Sequence, residues 1–164
     1  MTDELPRAVA RVKEAADALG IAVEIRQMPG STRTAADAAR ACGCEVGQIV
    51  KSLVFRGRDS GKPLLVLVSG KNRVDEQAVA TVIGEPIARP DAGFVRETTG
   101  FAIGGIPPFA HDRLLDTYID RDLLGYNSVW AAAGMPNSVM RLDPRAMADR
   151  LGARTLEVAP VDRG

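Results

Sequence analysis

Histidine and cysteine are scarce in this sequence of 164 residues, and its net charge is zero. The single histidine, His111, would need carboxylate partners that the sequence does not identify to complete a zinc centre, so no metal is expected. The two cysteines, Cys42 and Cys44, fall one residue short of a Cys-x-x-Cys motif and are too close together for a framework disulfide. We therefore expect a reduced, cytoplasmic setting.

Long apolar runs and nucleotide-binding motifs are also missing. No stretch approaches the roughly 18 apolar residues needed to span a bilayer, and the first residues lack the apolar region of a secretory signal, so no membrane partner is expected. The sequence has no Walker motif, and Gly100, Gly104 and Gly105 lack the spacing of a dinucleotide fingerprint. No cofactor is therefore expected. The balanced charge argues against general nucleic-acid binding, and no DNA partner is expected.

One segment is nevertheless clearly basic. Residues 51–73 contain six lysines and arginines, and Asp59 is their only acidic residue. A local positive field of this kind could hold a phosphate-bearing ligand, or it could be an ordinary solvated surface.

Helix and strand patterns alternate irregularly along the chain. The spacing predicts a helix over about residues 4–19, stopped by Gly20, and a capping box from Thr34 to Asp37 that opens a short helix ending at Cys42. Further helices are expected after Asp75, Asp91 and Asp143. Strands are predicted at 21–25, 49–55, 63–69, 116–120, 128–133, 138–142 and 155–158, with hairpin turns at 56–62 and 134–137. The mixture predicts one α+β domain over residues 1–164, built on a mixed, largely antiparallel sheet.

Lys51 is unusual within the apolar strand 49–55, because the chain has only four lysines against seventeen arginines. A lysine ammonium is a compact charge with three donors, which suits a phosphate or carboxyl oxygen in a confined pocket. The alternative is a side chain that snorkels at a sheet edge. The sequence does not choose between the two.

A glycine- and proline-rich segment, residues 99–111, ends at the only histidine. Gly104 and Gly105, followed by two prolines, predict a loop that exposes backbone N–H groups and is held stiff. Taken alone, such a cluster indicates a structural turn. The ordinary pKa of a histidine lies near neutrality, so His111 is equally open to a catalytic or a structural role.

These segments together resemble a known family. This sequence resembles the YbaK and prolyl-tRNA synthetase-associated editing domains at four segments, which stand in the family's order. The segments are Thr34-Ala35 with Ala38-Ala39, Ile49–Val54, Gly104–Phe109 and Asp120–Leu124. The resemblance extends from about residue 20 to about residue 152. It implies a partly closed mixed sheet with flanking helices and a site in a cleft. It also implies hydrolysis of the ester of mischarged tRNA, chiefly tRNA for proline carrying alanine, cysteine or a similar small amino acid.

The resemblance assigns catalytic roles to Lys51 and to the loop residues Gly104, Gly105 and Pro108. The lysine would hold the phosphate at the tRNA 3′ end, and the loop would place the water or the ester carbonyl. An aminoacyl ester is already activated, so its hydrolysis needs a placed water and oxyanion donors more than a strong nucleophile. The absence of a catalytic triad is consistent with that chemistry.

Four further residues are candidates for substrate binding: Thr34, Ser52, Phe109 and His111. The first three match the family's pocket for the amino-acid side chain, and the role of His111 is open. The expected partner is the 3′ acceptor end of aminoacyl-tRNA, with prolyl-tRNA synthetase as a further candidate. A freestanding, trans-acting deacylase is expected. The alternatives are a non-catalytic module that binds tRNA or a synthetase, and a small-molecule esterase that uses the same loop.

Overall fold

The computed structural model describes residues 5–30, 32 and 34–157, which form five helices and eight strands. The helices are α1 (Arg7–Leu19), α2 (Ala35–Cys42), α3 (Glu76–Ile83), α4 (Ala92–Thr99) and α5 (Pro144–Leu151). The strands are β1 (Glu24–Gln27), β2 (Ile49–Gly57), β3 (Pro63–Ser69), β4 (Ile87–Ala88), β5 (Asp116–Asp120), β6 (Val129–Ala132), β7 (Ser138–Leu142) and β8 (Arg154–Leu156). Short 3-10 helices at Val46–Gln48 and Arg121–Gly125 precede β2 and follow β5.

The helix boundaries agree with the signals in the sequence. Helices α2 to α5 each begin after a side chain that accepts hydrogen bonds from first-turn N–H groups. Those capping residues are Thr34, Asp75, Asp91 and Asp143. Each of the five helices ends at a glycine with positive φ. Half of the predicted capping box forms, since Thr34 accepts from the Asp37 N–H at 3.0 Å while the Asp37 carboxylate binds Arg40.

One mixed sheet joins the strands in the order β1-β7-β6-β2-β3-β5-β8, and β4 pairs with the far end of β2. Four pairings are antiparallel, and the three pairings β2–β6, β3–β5 and β5–β8 are parallel. The predicted α+β class, the mixed sheet and both hairpins, β2–β3 and β6–β7, are confirmed. The sheet is open where partial closure was expected, because β1 and β8, its outer strands in the described chain, do not pair.

Helices cover both faces of the sheet. Helices α1, α4 and α5 share a core with Val50 and Val54 of β2, whereas α3 packs with Phe55 on the opposite face. Helix α2 covers Ile49 and Trp130. Alternate side chains of β2 therefore point to opposite faces, as the period of a strand requires. Strand β3 is buried on both faces, as its continuous apolar run predicts.

Some boundaries differ from the sequence-based expectation. The strand predicted at 21–25 begins at Glu24, because the Ile21 N–H donates to the Ala16 carbonyl at 2.9 Å and closes the end of α1. Strand β4 was not predicted, since two residues carry no detectable period. The predicted helix 4–19 starts at Glu4 and the predicted strand 155–158 ends at Val158. Both residues lie outside the described residues. The extent of one domain over residues 1–164 stays a prediction. Among the described residues, no helix combines the length and the apolar character needed to cross a membrane.

Candidate functional site

The pairing of β2 is interrupted near the middle of the sheet. Strand β2 pairs with β6 only at Ile49 and Val50, and with β4 only at Arg56 and Gly57. Within the described residues, 51–55 therefore have no neighbouring strand on that side, although β3 pairs with all of them on the other. We refer to the space beside residues 51–55, bounded by β6 and by residues 103–106, as the β2 slot.

A cavity of about 230 Å³, the main cavity, lies at the β6 end of the β2 slot. Its walls come from the start of α2, from β2, β6 and β7, and from the glycine-rich segment. Most of the lining is apolar. The lining residues include Ala35, Ala38, Ile49, Ile103, Ile106, Trp130 and Val139, together with Thr32, Thr34, Lys51, Ser52 and Gly104.

Lys51 is partly buried beside this cavity and is held by a network at the ends of β3 and β5. Its Nζ donates a hydrogen bond to the carbonyl oxygen of Asn72 at 2.5 Å. The side-chain amide of Asn72 donates to Asp120 and to Asp122, at 2.8 Å each. Asp120 is buried and also accepts from the backbone N–H of Ser69 at 3.0 Å. The lysine is therefore positioned by a buried carboxylate through an asparagine.

The electrostatic surroundings of Lys51 are mostly positive. Burial lowers the pKa of Lys51, and the nearby charges of Arg73 and Arg89 lower it further, while Asp120 opposes the shift. Lys51 and Arg73 belong to the basic segment found in the sequence, and Arg89 adds a third positive charge from outside that segment. Lys51 lies on an interior strand of the sheet, at the start of the stretch where β2 is paired on one side only.

Gly104 and Gly105 have different surroundings. Gly104 lines the main cavity with φ of 100°. Gly105 is buried, and its N–H donates to the Ala102 carbonyl at 3.1 Å, so the expectation that it exposes a free N–H is wrong. A Cβ on Gly105 would come within 2.8 Å of the Met135 Cα, and only glycine allows this close approach to the β6–β7 turn.

The rest of the glycine- and proline-rich segment lies behind the cavity. Pro108 is buried, and Phe109 is 3% exposed within the core shared with α1 and α5. His111 donates from Nε2 to the Pro107 carbonyl at 2.7 Å and meets the Phe101 ring edge-on at 6.5 Å between centroids. Burial is the main cause that lowers the pKa of His111. The histidine therefore stabilises the segment rather than lining the cavity.

Arg11 of α1 anchors the end of the same segment. Its guanidinium donates to the Ala110 carbonyl and to the Asp112 carboxylate, at 2.6 Å each, and lies 4.7 Å from the centre of the Phe101 ring. Ala110 has φ of 75°, an unfavourable value for a residue other than glycine, so surrounding contacts must hold it there. The sequence carried no signal for this anchor, because about 100 residues separate its partners.

Four of the predicted site residues come together and four do not. Those that line the main cavity are Thr34, Lys51, Ser52 and Gly104. Those outside its lining are Gly105, Pro108, Phe109 and His111. Sequence reasoning missed Thr32 and Trp130 in the lining, since neither stands in a recognisable motif.

The two cysteines offer no nucleophile at neutral pH. Burial, with Cys44 nearby, raises the pKa of Cys42 to about 11, and burial also raises the pKa of Cys44. Both thiols are free, and both pack against the cluster around Trp130. Protonated thiols react slowly, which favours a packing role. Within the described ranges, no three His, Cys, Asp or Glu side chains are grouped to hold a metal ion.

Comparison with known proteins gives the family. Residues 30–149 match the family model of the aminoacyl-tRNA editing domain, and this range contains the main cavity and the glycine- and proline-rich segment. The chain belongs to the aminoacyl-tRNA editing domain family. The predicted resemblance is confirmed. This editing domain is 30% identical over 128 residues to "Uncharacterized protein YwhH" of Bacillus subtilis (strain 168). The matched region covers 77% of this chain and 80% of that protein.

Two further relatives of the editing domain carry more informative names. It is 25% identical over 126 residues, 76% of each chain, to the "Putative Cys-tRNA(Pro)/Cys-tRNA(Cys) deacylase EbsC" of Enterococcus faecalis (strain ATCC 700802 / V583). It is also similar to a crystal structure of "a putative trans-editing enzyme for prolyl tRNA synthetase", with a TM-score of 0.88 and 44% identity. That match covers 96% of this chain and 99% of the other.

Proposed function

We propose that this editing domain is a freestanding deacylase that hydrolyses the ester bond of mischarged tRNA in trans. Its proposed substrate is tRNA for proline carrying alanine, cysteine or a similar small amino acid. The names of the two relatives, one for a Cys-tRNA deacylase and one for a prolyl-tRNA trans-editing enzyme, favour this substrate class.

The observation that carries the proposal is the position of Lys51 at a small, mostly apolar cavity that Gly104 also lines. A cationic side chain beside an apolar cavity suits a ligand with a phosphate at one end and a small apolar group at the other. The 3′-terminal nucleotide of tRNA with its aminoacyl ester has this composition. Arg73 and Arg89, whose charges act on Lys51, would contribute to the phosphate attraction.

The proposed reaction is the addition of water to the ester carbonyl carbon. The bond from that carbon to the ribose oxygen breaks, the ribose oxygen takes one proton, and the other proton is released from the carboxylic acid product. Negative charge grows on the carbonyl oxygen before the bond breaks, and a backbone donor directed at it is worth roughly 10²–10³ in rate. Gly104 is one candidate for that donor, and Gly105 would act only by holding the segment against the β6–β7 turn.

The remaining predicted residues take indirect or binding roles in this proposal. Thr34 and Ser52, which line the cavity, would contact the aminoacyl group. Pro108, Phe109 and His111 would keep the segment rigid from behind, since they are buried or bonded within it.

The proposal is tested by incubating the purified chain with a panel of tRNAs charged with alanine, cysteine, serine and threonine and measuring amino-acid release. We expect release from at least one of them, and loss of release in Lys51→Ala. The matched control is Lys62→Ala, which removes an exposed lysine in the β2–β3 turn. Panel members that all stayed intact under excess protein would refute the proposal.

A non-catalytic binding module is the second candidate, because the described lining of the main cavity holds no His, Cys, Asp or Glu side chain to act as a base. It predicts that tRNA binds without turnover and that Lys51→Ala changes affinity alone. Turnover of a small ester without tRNA would instead favour an esterase.

A further inference from the structure

The backbone of Ser52 faces the β2 slot. Along β2, the Gly70 N–H donates to the Ile49 carbonyl at 2.7 Å, and the Gly57 N–H donates to the Lys62 carbonyl at 2.9 Å. These two bonds lie at the two ends of the β2–β3 ladder, and the β2 residue in each of them, Ile49 or Gly57, is odd-numbered. The odd-numbered residues of β2 therefore direct their backbone groups at β3. Because these directions alternate along a strand, the backbone N–H and C=O of Ser52 and Val54 point the other way, into the slot.

These groups have no strand partner in the part of the chain that the structure describes. The ladder between β2 and β6 ends at the pair Val50–Ala131, and the ladder between β2 and β4 begins only at Arg56. Unpaired backbone groups in the interior of a sheet are uncommon, since each forfeits a hydrogen bond. Ser52 lines both the main cavity and a second cavity of about 190 Å³ further along the slot, and Val54 lines the second cavity.

The aminoacyl group has the polar pattern of a strand residue. It carries an α-ammonium donor and a carbonyl acceptor on either side of one carbon atom. In an antiparallel ladder, two opposed residues of a hydrogen-bonded pair exchange both N–H···O bonds. Extended ligands that add to a free strand edge use the same bonds.

We infer that the aminoacyl ester docks on Ser52 as one residue of a missing strand. The Ser52 N–H donates to the ester carbonyl oxygen, and the Ser52 carbonyl accepts from the α-ammonium group. This inference rests on the proposed function and names how the same site holds its substrate. Since the N–H of Gly105 is already bonded to Ala102, Ser52 supplies the second oxyanion donor beside Gly104.

The inferred bonds also separate two kinds of selectivity. Backbone groups recognise the part common to all α-amino esters, so they do not distinguish alanine from a larger amino acid. Discrimination by size is left to the apolar lining, in which Ala38, Ile49 and Trp130 stand. The reaction itself is unchanged: water adds to the carbonyl carbon, and the ribose oxygen leaves with a proton.

A backbone amide-to-ester substitution at residue 52 tests the donor. The α-hydroxy acid analogue of serine, placed in the full chain by nonsense suppression, removes the N–H of Ser52 and makes the preceding carbonyl, that of Lys51, a weaker acceptor for its bond from β3. We expect kcat for a mischarged tRNA substrate to fall by roughly 10²–10³. The matched control is the α-hydroxy acid analogue of valine at residue 54. The N–H of Val54 faces the same slot outside the main cavity. The ester at this position weakens the same kind of bond, the one that the preceding carbonyl accepts from β3. The control is expected to retain the rate, and equal melting temperatures for both chains would show that both fold.

The substrate provides the second arm. Propionyl-tRNA is alanyl-tRNA without the amino group, and we compare the two by the ratio of catalysed to spontaneous hydrolysis. We expect the ratio to fall by about tenfold or more, the usual effect of losing a hydrogen bond to a charged group. Equal ratios for the two esters, or an unchanged rate in the chain with the ester at residue 52, would overturn the inference. An unmodified chain that releases no amino acid from any tRNA would instead refute the proposed function, and this inference with it.

Discussion

Replacement of Lys51 by methionine is expected to weaken activity while leaving the fold at least as stable as before. Burial lowers the pKa of Lys51, so the folded protein disfavours the charged form relative to the unfolded chain. The folded-state pKa lies below the unfolded one, and the charged lysine therefore costs stability at neutral pH. An uncharged, unbranched methionine removes that cost at the same position.

The loss of activity follows from the charge. Two unit charges 4 Å apart interact by about 4 kcal/mol at an effective dielectric constant of 20. Lys51 is only partly buried, so solvent screening reduces the figure to about 1.5–3 kcal/mol. Since about 1.4 kcal/mol is a factor of ten, kcat/KM for mischarged tRNA should fall by roughly 10–100-fold.

The assay is deacylation of a mischarged tRNA at several salt concentrations, with a thermal melt of each protein. Lys62→Met is the control, and it should retain kcat/KM because Lys62 is exposed at the end of the β2–β3 hairpin. The difference between Lys51→Met and the wild type should narrow as salt rises, since ions screen the lysine–phosphate attraction. Wild-type kcat/KM in Lys51→Met would refute the phosphate role, and a much lower melting temperature would refute the burial argument.

Three further predictions concern the segment behind the cavity. Gly105→Ala should destabilise the fold by about 1–3 kcal/mol in urea titrations, because the new Cβ would stand 2.8 Å from the Met135 Cα; an unchanged midpoint would show that the turn can move. Arg11→Ala should lower kcat more than it raises KM and cost about 1–2 kcal/mol of stability, since it frees the segment without touching the cavity. Arg7→Ala, on an exposed position of α1, should do neither, and matching kinetics in the two variants would count against the anchor. His111 has a lowered pKa, so its protonation favours the unfolded chain, and the melting temperature should fall as the pH drops below the ordinary value of 6.5. His111→Asn should remove that part of the pH dependence, and an identical slope in both proteins would contradict it.

Local features of the fold could be predicted because their causes are local. Asp91 and Asp143 cap helices where the sequence placed them, since a carboxylate that accepts first-turn N–H groups needs only its own neighbours. The hairpin turns follow from residue types a few positions apart. The strand at Ile87 escaped detection because its two residues are placed by distant contacts, namely pairing with Arg56 and Gly57 and burial of Ile87 against the core.

The candidate site was only half predictable for the same physical reason. The motifs named Lys51 and Gly104 correctly as neighbours, but they could not show that the N–H of Gly105 is used by Ala102. Phe109 belongs to the same motif as Gly104, yet it turns into the core. Motifs record which residues a segment requires, and not which side of the chain each residue faces.

The sequence by itself determined the class of the fold, the family and the segments that contribute to the candidate site. Those conclusions depend on the order and spacing of residues, which propensities and motifs can read. Only the tertiary structure decided that β2 lacks a neighbour among the described strands beside residues 51–55 and that Ser52 turns its backbone into the gap. Pairing between strands that are distant in the sequence decides which backbone groups of β2 find a hydrogen-bond partner. The side chains of β2 do not predict which of its two edges stays free.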